Sequence, residues 1–222
     1  MSATLTPPAP TLPPGPPTLP EAIGDDVTPV EPAHHLSGRV DYFRFSVEEY
    51  YKLGEIGILS PESRVELIDG LIVCKPMQNQ PHRRALRRLQ NLMARLSGPN
   101  WTTQSQLPID LDRSSPEPDI AVIRGSEALF NERPILPSDI VLVIEVSDTT
   151  LDFDSTINAG IYARNMLPAY WIVNIPDSRI EVHTNPAGDA YQDRTDYVTG
   201  QTVPVVLDGV TVAEFPVSDI FG

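Results

Sequence analysis

The run Ile140-Val141-Leu142-Val143-Ile144-Glu145-Val146 constrains this chain more than any other stretch. A half-exposed strand alternates apolar and polar residues. A nearly unbroken β-branched run fits a strand covered on both faces. Such a strand needs a sheet with further layers packed against it. Glu145 interrupts the run near its end. A carboxylate in that setting is costly without a partner or a metal ion. The carboxyl end of a central strand is also where ligand sites collect in α/β sheets.

The remaining pattern supplies the rest of such a fold. Ser46 followed by Glu49 predicts a capped helix that stops near Gly54 or Gly57. The run Arg64 to Cys74, with Asp69-Gly70 between two apolar stretches, predicts a hairpin. From Pro81 to Ser97 the residues Ala85, Leu86, Leu89, Leu92, Met93 and Leu96 recur at helical spacing. Strands are expected at Trp101 to Ile109, Ile120 to Ile123, Asp139 to Val146 and Tyr170 to Asn174, and at Arg179 to His183 pairing back across Pro-Asp-Ser. A short strand is expected around Tyr191, and mixed helical character from Asp154 to Asn165. Asp208-Gly209 reads as a last turn between extended pieces. The expected fold is α/β, a mixed central sheet flanked by at least two helices. It occupies 41–222, behind a proline-rich leader over 1–35 that is expected to be extended or disordered. That leader reads as a solvated tail, a docking arm or a ligand for a proline-binding module.

The net charge of -14 argues against a protein that coats nucleic acid non-specifically. It leaves room for a nuclease, whose site needs carboxylates for metal and only a local basic surface for phosphate. Arg83, Arg84, Arg87 and Arg88, with no acidic residue in their segment, read equally as such a surface or as ordinary solvated helix surface. No stretch approaches the roughly 18 apolar residues of a membrane span, and the N-terminus lacks a signal-like pattern. The single cysteine, Cys74, excludes an intrachain disulfide, and its strand setting predicts a buried thiol. A cytoplasmic protein is expected.

Asp119, following Pro118 at the start of a strand, and Glu145 are the candidate metal ligands, with Glu66 completing or orienting the shell. Two carboxylates on neighbouring strands suit Mg²⁺ (or Mn²⁺), which keeps several waters and accepts few protein oxygens. The ion would activate water and stabilise charge on a scissile phosphate. Asp69 reads as a turn residue. His82, at a helix start, reads equally as a phosphate contact or an ordinary first-turn residue. Tyr162, Tyr170 and Trp171 read as packing between helix and sheet rather than as a base-stacking platform, and His183 as part of a surface strand.

In order and spacing these segments resemble the Uma-two family of restriction endonucleases, in the PD-(D/E)XK nuclease superfamily. Glu66 with Asp69-Gly70, then His82, Pro118-Asp119, Glu145-Val146-Ser147, Asp154, Tyr162 and Tyr170-Trp171 match the family's pattern over roughly residues 43 to 215. The resemblance implies a divalent-metal-dependent endonuclease acting on DNA, as a homodimer. It implies catalytic roles for Glu66, Asp119 and Glu145; by the reading of the residues themselves, His82 and the arginine-rich helix are expected to approach the phosphates. One departure bears on chemistry. Asn158 stands where the family has lysine, and Ser147 where a Glu-x-Lys motif would place it. Asparagine can hold a water but carries no charge and is no base. Lys75 projecting into the site, an arginine among Arg83, Arg84 and Arg87, or loss of catalysis are the three alternatives. In the last, the chain is an inactive nuclease-fold protein that binds nucleic acid or a protein partner.

Overall fold

The computed structural model describes residues 41–222. The leader expected over 1–35 lies outside them. Phe43–Gly222 forms one compact unit.

Its first helix, α1 (Val47–Glu55), carries the expected capping box: Glu49 N–H donates to Ser46 Oγ at 3.1 Å, and Ser46 N–H donates to the Glu49 carboxylate at 2.8 Å. The hairpin of β1 (Val65–Ile68) and β2 (Leu71–Cys74) follows. Asp69 and Gly70 both have positive φ (49° and 78°), the backbone of a tight type I′ connection. Next comes α2 (Gln80–Met93), whose N-cap Asn79 accepts from His82 N–H at 3.1 Å; a 3₁₀ turn, Ala94–Leu96, extends it.

The main sheet contains β3 (Trp101–Gln104), β4 (Ile120–Arg124), β5 (Ile140–Ser147), β6 (Ala169–Asn174), β7 (Arg179–Ala187) and β8 (Ala190–Val198), in that spatial order. A short α3 (Glu127–Phe130) lies between β4 and β5 in the chain. Only β5 and β6 pair in parallel; every other neighbouring pair is antiparallel. The parallel step requires a crossover, made by α4 (Leu151–Phe153), a π-helical turn (Asp154–Asn158) and α5 (Ala159–Arg164). A last hairpin, β9 (Thr202–Leu207) and β10 (Val210–Pro216), turns at Asp208-Gly209 as expected, and α6 (Ser218–Phe221) ends the chain.

The two faces of the sheet build two cores. On one face Leu86, Leu89 and Met93 of α2 pack with Val122, Ile144, Trp171 and Val173, and with Val203, Val205 and Phe215 of the last hairpin. On the other, Ile161 and Tyr162 of α5 and Ile68 of β1 pack with Ala121, Ile123, Val143, Tyr170 and Ile172. All of β5 is buried, as its composition predicts. Val122 pairs with Leu142 and Ile123 with Ile140, so Val141 is a bulge residue.

Several expectations need correction. The strand from Trp101 ends at Gln104: Gln106 has φ 53°, a conformation that no strand continues. The strand around Tyr191 is long, nine residues, and pairs with β7 at every position but Gln192. His183 is largely enclosed, its ring 5.9 Å from Tyr170 and 6.1 Å from Tyr191 by centroid. Cys74 is exposed rather than buried. It ends a short two-stranded hairpin that has no third strand to cover that position. Tyr162, Tyr170 and Trp171 are buried and pack helix to sheet as expected. Among the described residues no helix is long and apolar enough to cross a membrane.

Candidate functional site

A cavity of about 220 Å³ lies where β4 and β5 meet the crossover, lined by Glu66, Lys75, His82, Glu117, Asp119, Glu145, Asp154 and Asn158, among others. Asp119 immediately precedes β4, and Glu145 lies near the end of β5. Because β4 and β5 run antiparallel, with Ile120 opposite Ile144, the two acids are neighbours. Backbone groups then fix them. Asp119 N–H donates to Glu145 Oε2 at 3.1 Å, and Val146 N–H donates to Asp119 Oδ2 at 2.9 Å. The Tyr162 hydroxyl donates to Glu145 Oε1 at 2.8 Å. Gln106 Nε2 reaches Asp119 Oδ1 at 3.3 Å, and His82 Nε2 lies 3.0 Å from Asp119 Oδ2. His82 therefore enters the cavity from the first turn of α2.

The crossover contributes a third acid. In the π-helical turn Asp154 and Asn158 both face inward and are buried. Asp154 Oδ2 accepts from Ser147 Oγ at 2.8 Å and Thr150 Oγ1 at 2.6 Å, and Oδ1 accepts from Asn158 Nδ2 at 2.9 Å. Asn158 Oδ1 is buried with no partner. From the hairpin, Glu66 accepts from Glu117 N–H at 3.1 Å, and Lys75 Nζ lies 2.6 Å from the Glu117 carboxylate.

Negative charge dominates this cavity. Burial, then the nearby Asp154 and Asp119 carboxylates, push Glu145 well above the usual carboxylate range, against the hydrogen bonds from Tyr162 and Asp119 N–H. Burial likewise raises Asp154, opposed by the Thr150, Ser147 and Asn158 donors. Glu66 is raised by burial, opposed by Glu117 N–H and Lys75. Carboxylates held together out of water call for positive charge.

The expected set is thus brought together in part. Glu66, Lys75, His82, Asp119, Glu145 and Asn158 line one cavity. The arginines of α2 do not. Arg83, Arg84 and Arg87 are exposed and, among the described residues, make no ion pair, while Arg88 donates to the Ile220 carbonyl at 3.3 Å. Asp154, Glu117 and Gln106 lie outside the expected set. Asp154 was signalled by its place in the family order; Glu117 and Gln106 sit in loop segments without periodicity.

Among the described residues no three His, Cys, Asp or Glu side chains are grouped to hold a metal ion by themselves. The chemistry of Asp119 and Glu145 nonetheless fits a hard divalent cation. Each Glu145 oxygen has one protein donor, which leaves a lone pair on each. Mg²⁺ needs only one or two carboxylates when waters and phosphate oxygens fill its remaining positions.

A mixed α/β sheet flanked by helices, with an acidic cavity beside its central strand, is a restriction-endonuclease-like core. The chain belongs to the Uma2 family, described as "Putative restriction endonuclease", whose model matches residues 47–216. A crystal structure described as a putative nuclease of the DUF820 group from Anabaena variabilis has the same fold. It superposes with a TM-score of 0.58 at 17% identity, over 80% of this chain and 97% of that one. No curated protein matches.

Proposed function

We propose that this chain is a nuclease-fold protein that binds nucleic acid and has lost efficient phosphodiester hydrolysis. One observation carries the loss: each cavity side chain that could stand in for the missing lysine turns a donor nitrogen onto a carboxylate. Asn158, at the lysine position, donates its amide to Asp154. Lys75 is paired with Glu117, and His82 lies against Asp119. Among the described residues, no unpaired cation faces the place where water and phosphate would meet.

Binding is supported by α2. Its first turn places His82 in the cavity, and Arg83, Arg84 and Arg87 follow on exposed surface. Guanidiniums that make no ion pair among the described residues, on the helix that carries His82 into the cavity, suit a phosphate backbone that skirts the carboxylates. Asp119 and Glu145, with Glu66 nearby, would hold Mg²⁺ or Mn²⁺. When bound, such an ion supplies Lewis-acid stabilisation of phosphate charge. DNA is the expected nucleic acid and a homodimer the expected assembly, both from the family. Light scattering checks the second.

A metal-dependent DNA endonuclease is the second reading, favoured by Lys75. Its ammonium lines the same cavity as Asp119 and Glu145, and release from Glu117 would free it to neutralise phosphate. The test is fluorescence anisotropy with labelled DNA, paired with plasmid nicking in Mg²⁺ or Mn²⁺. Binding without nicking is expected. Metal-dependent nicking by the wild-type protein would replace the first reading with the second.

A further inference from the structure

Beside the acidic cavity lies a second hollow of about 420 Å³, formed by α1, the loop after it and the start of β1. The two hollows share Lys75 and Glu117, whose ion pair lies on the border between them. Leu59, Pro61, Val65 and Pro108 make its apolar walls, and Tyr50 and Tyr51 bring two aromatic rings, 5.7 Å apart by centroid. Both rings are tethered by their hydroxyls. Tyr50 donates to the Val65 carbonyl at 3.0 Å; the Tyr51 hydroxyl lies 2.7 Å from Asp110 Oδ1 and 3.0 Å from Ser115 Oγ. Neither hydroxyl is left to seek a ligand, whereas Tyr51 remains 39% exposed.

We propose that this hollow receives one unpaired nucleobase of the bound strand, stacked on Tyr51, while the adjoining phosphate faces the acidic cavity. The inference rests on the nucleic-acid reading above and specifies the substrate: a single strand, or a duplex with one base turned out. The hollow's charged lining residues are spoken for: Lys75 and Glu117 pair with each other at 2.6 Å, and Arg64 donates to the Pro76 carbonyl at 3.1 Å. A neutral, flat, partly apolar group suits it, and an aromatic face that is fixed before binding costs little order on contact. A base still paired inside a duplex cannot reach such a recess.

The test compares anisotropy for a short single-stranded DNA, the same strand with an abasic site moved stepwise along it, and the blunt duplex. Single-strand binding tighter than duplex is expected, with one abasic position losing about tenfold. Tyr51→Ala should lose about tenfold on the intact strand and become insensitive to that abasic site, whereas Tyr51→Trp, which keeps an aromatic face, should retain affinity. Equal affinity for all three wild-type probes overturns the base pocket and leaves the nucleic-acid reading standing. The abasic scan uses the wild-type protein, so a folding defect in Tyr51→Ala does not blunt it. If no probe binds at all, the nucleic-acid reading falls and the pocket with it.

Discussion

The backbone N–H of Asp119 donates to Glu145 Oε2 at 3.1 Å, so the residue that would share a cation with Glu145 also helps hold its carboxylate. Val146, next to Glu145, returns a hydrogen bond to Asp119 at 2.9 Å. The two acids are positioned by the strand backbone of β4 and β5 and need no ligand to orient them. Among the described residues no lysine or arginine pairs with either carboxylate.

That lack sets the first expectation. Burial first, then the Asp154 and Asp119 carboxylates, raise Glu145 above the usual carboxylate range. Replacing it with glutamine removes the cost of ionising a buried carboxyl while keeping an oxygen for Asp119 N–H. In EDTA at neutral pH, Glu145→Gln should melt at least about 2 °C higher than wild type. Mg²⁺ should raise the wild-type melting temperature and leave the variant's unchanged. A variant that melts lower in EDTA would mean that the carboxylate itself supports the fold.

The α2 arginines should separate into two roles. Arg83, Arg84 and Arg87 are exposed and make no ion pair among the described residues, whereas Arg88 reaches the Ile220 carbonyl and ties α6 to α2. Alanine at Arg83, Arg84 and Arg87 should weaken DNA binding uniformly across sequences. It should also flatten the salt dependence, by about one unit of slope for each guanidinium that no longer meets a phosphate. Arg88→Ala should lower thermal stability with little change in affinity. Salt titrations of binding, alongside melting curves, check both.

Acid sensitivity should show at Asp139. Arg133 Nη1 and Nη2 donate to its two oxygens at 2.7 and 2.9 Å, and Leu136 N–H adds a third bond at 2.8 Å. The Arg133 hydrogen bond first, with Leu136 N–H assisting, holds Asp139 below the usual carboxylate range. Its stabilisation is therefore full above the unfolded-state value of about 4. It is lost as pH falls through the lowered folded value. Asp139→Asn should reduce stability at neutral pH and shrink the acid-induced loss, read from denaturant midpoints at several pH values. An unchanged acid profile would remove Asp139 from that transition.

How much was legible in the chain depended on periodicity. The β5 run announced a central strand, and Glu145 inside it announced a buried acid. Pro118-Asp119 before an apolar run announced its neighbour. Asp69-Gly70 and Asp208-Gly209 announced their turns, because few residues tolerate positive φ at consecutive positions. Other features left no such trace. Asp154 and Asn158, four apart in a helical segment, share a face by spacing, but spacing does not say that this face meets the cavity. The Lys75–Glu117 pair joins a hairpin to a loop forty-two positions away, and sequence patterns give faces without saying which elements meet. Cys74 misled because a strand-like run reads as buried, whereas a two-stranded hairpin leaves positions uncovered.

Position 158 offers the most direct measurement. Plasmid nicking in Mg²⁺ or Mn²⁺ would be compared for wild type, Asn158→Lys and Glu145→Ala. The expected result is DNA binding but no nicking by wild type, metal-dependent nicking by Asn158→Lys, and none by Glu145→Ala. Nicking by the wild-type protein that Glu145→Ala abolishes and Asn158→Lys does not increase would contradict the loss of catalysis at this site.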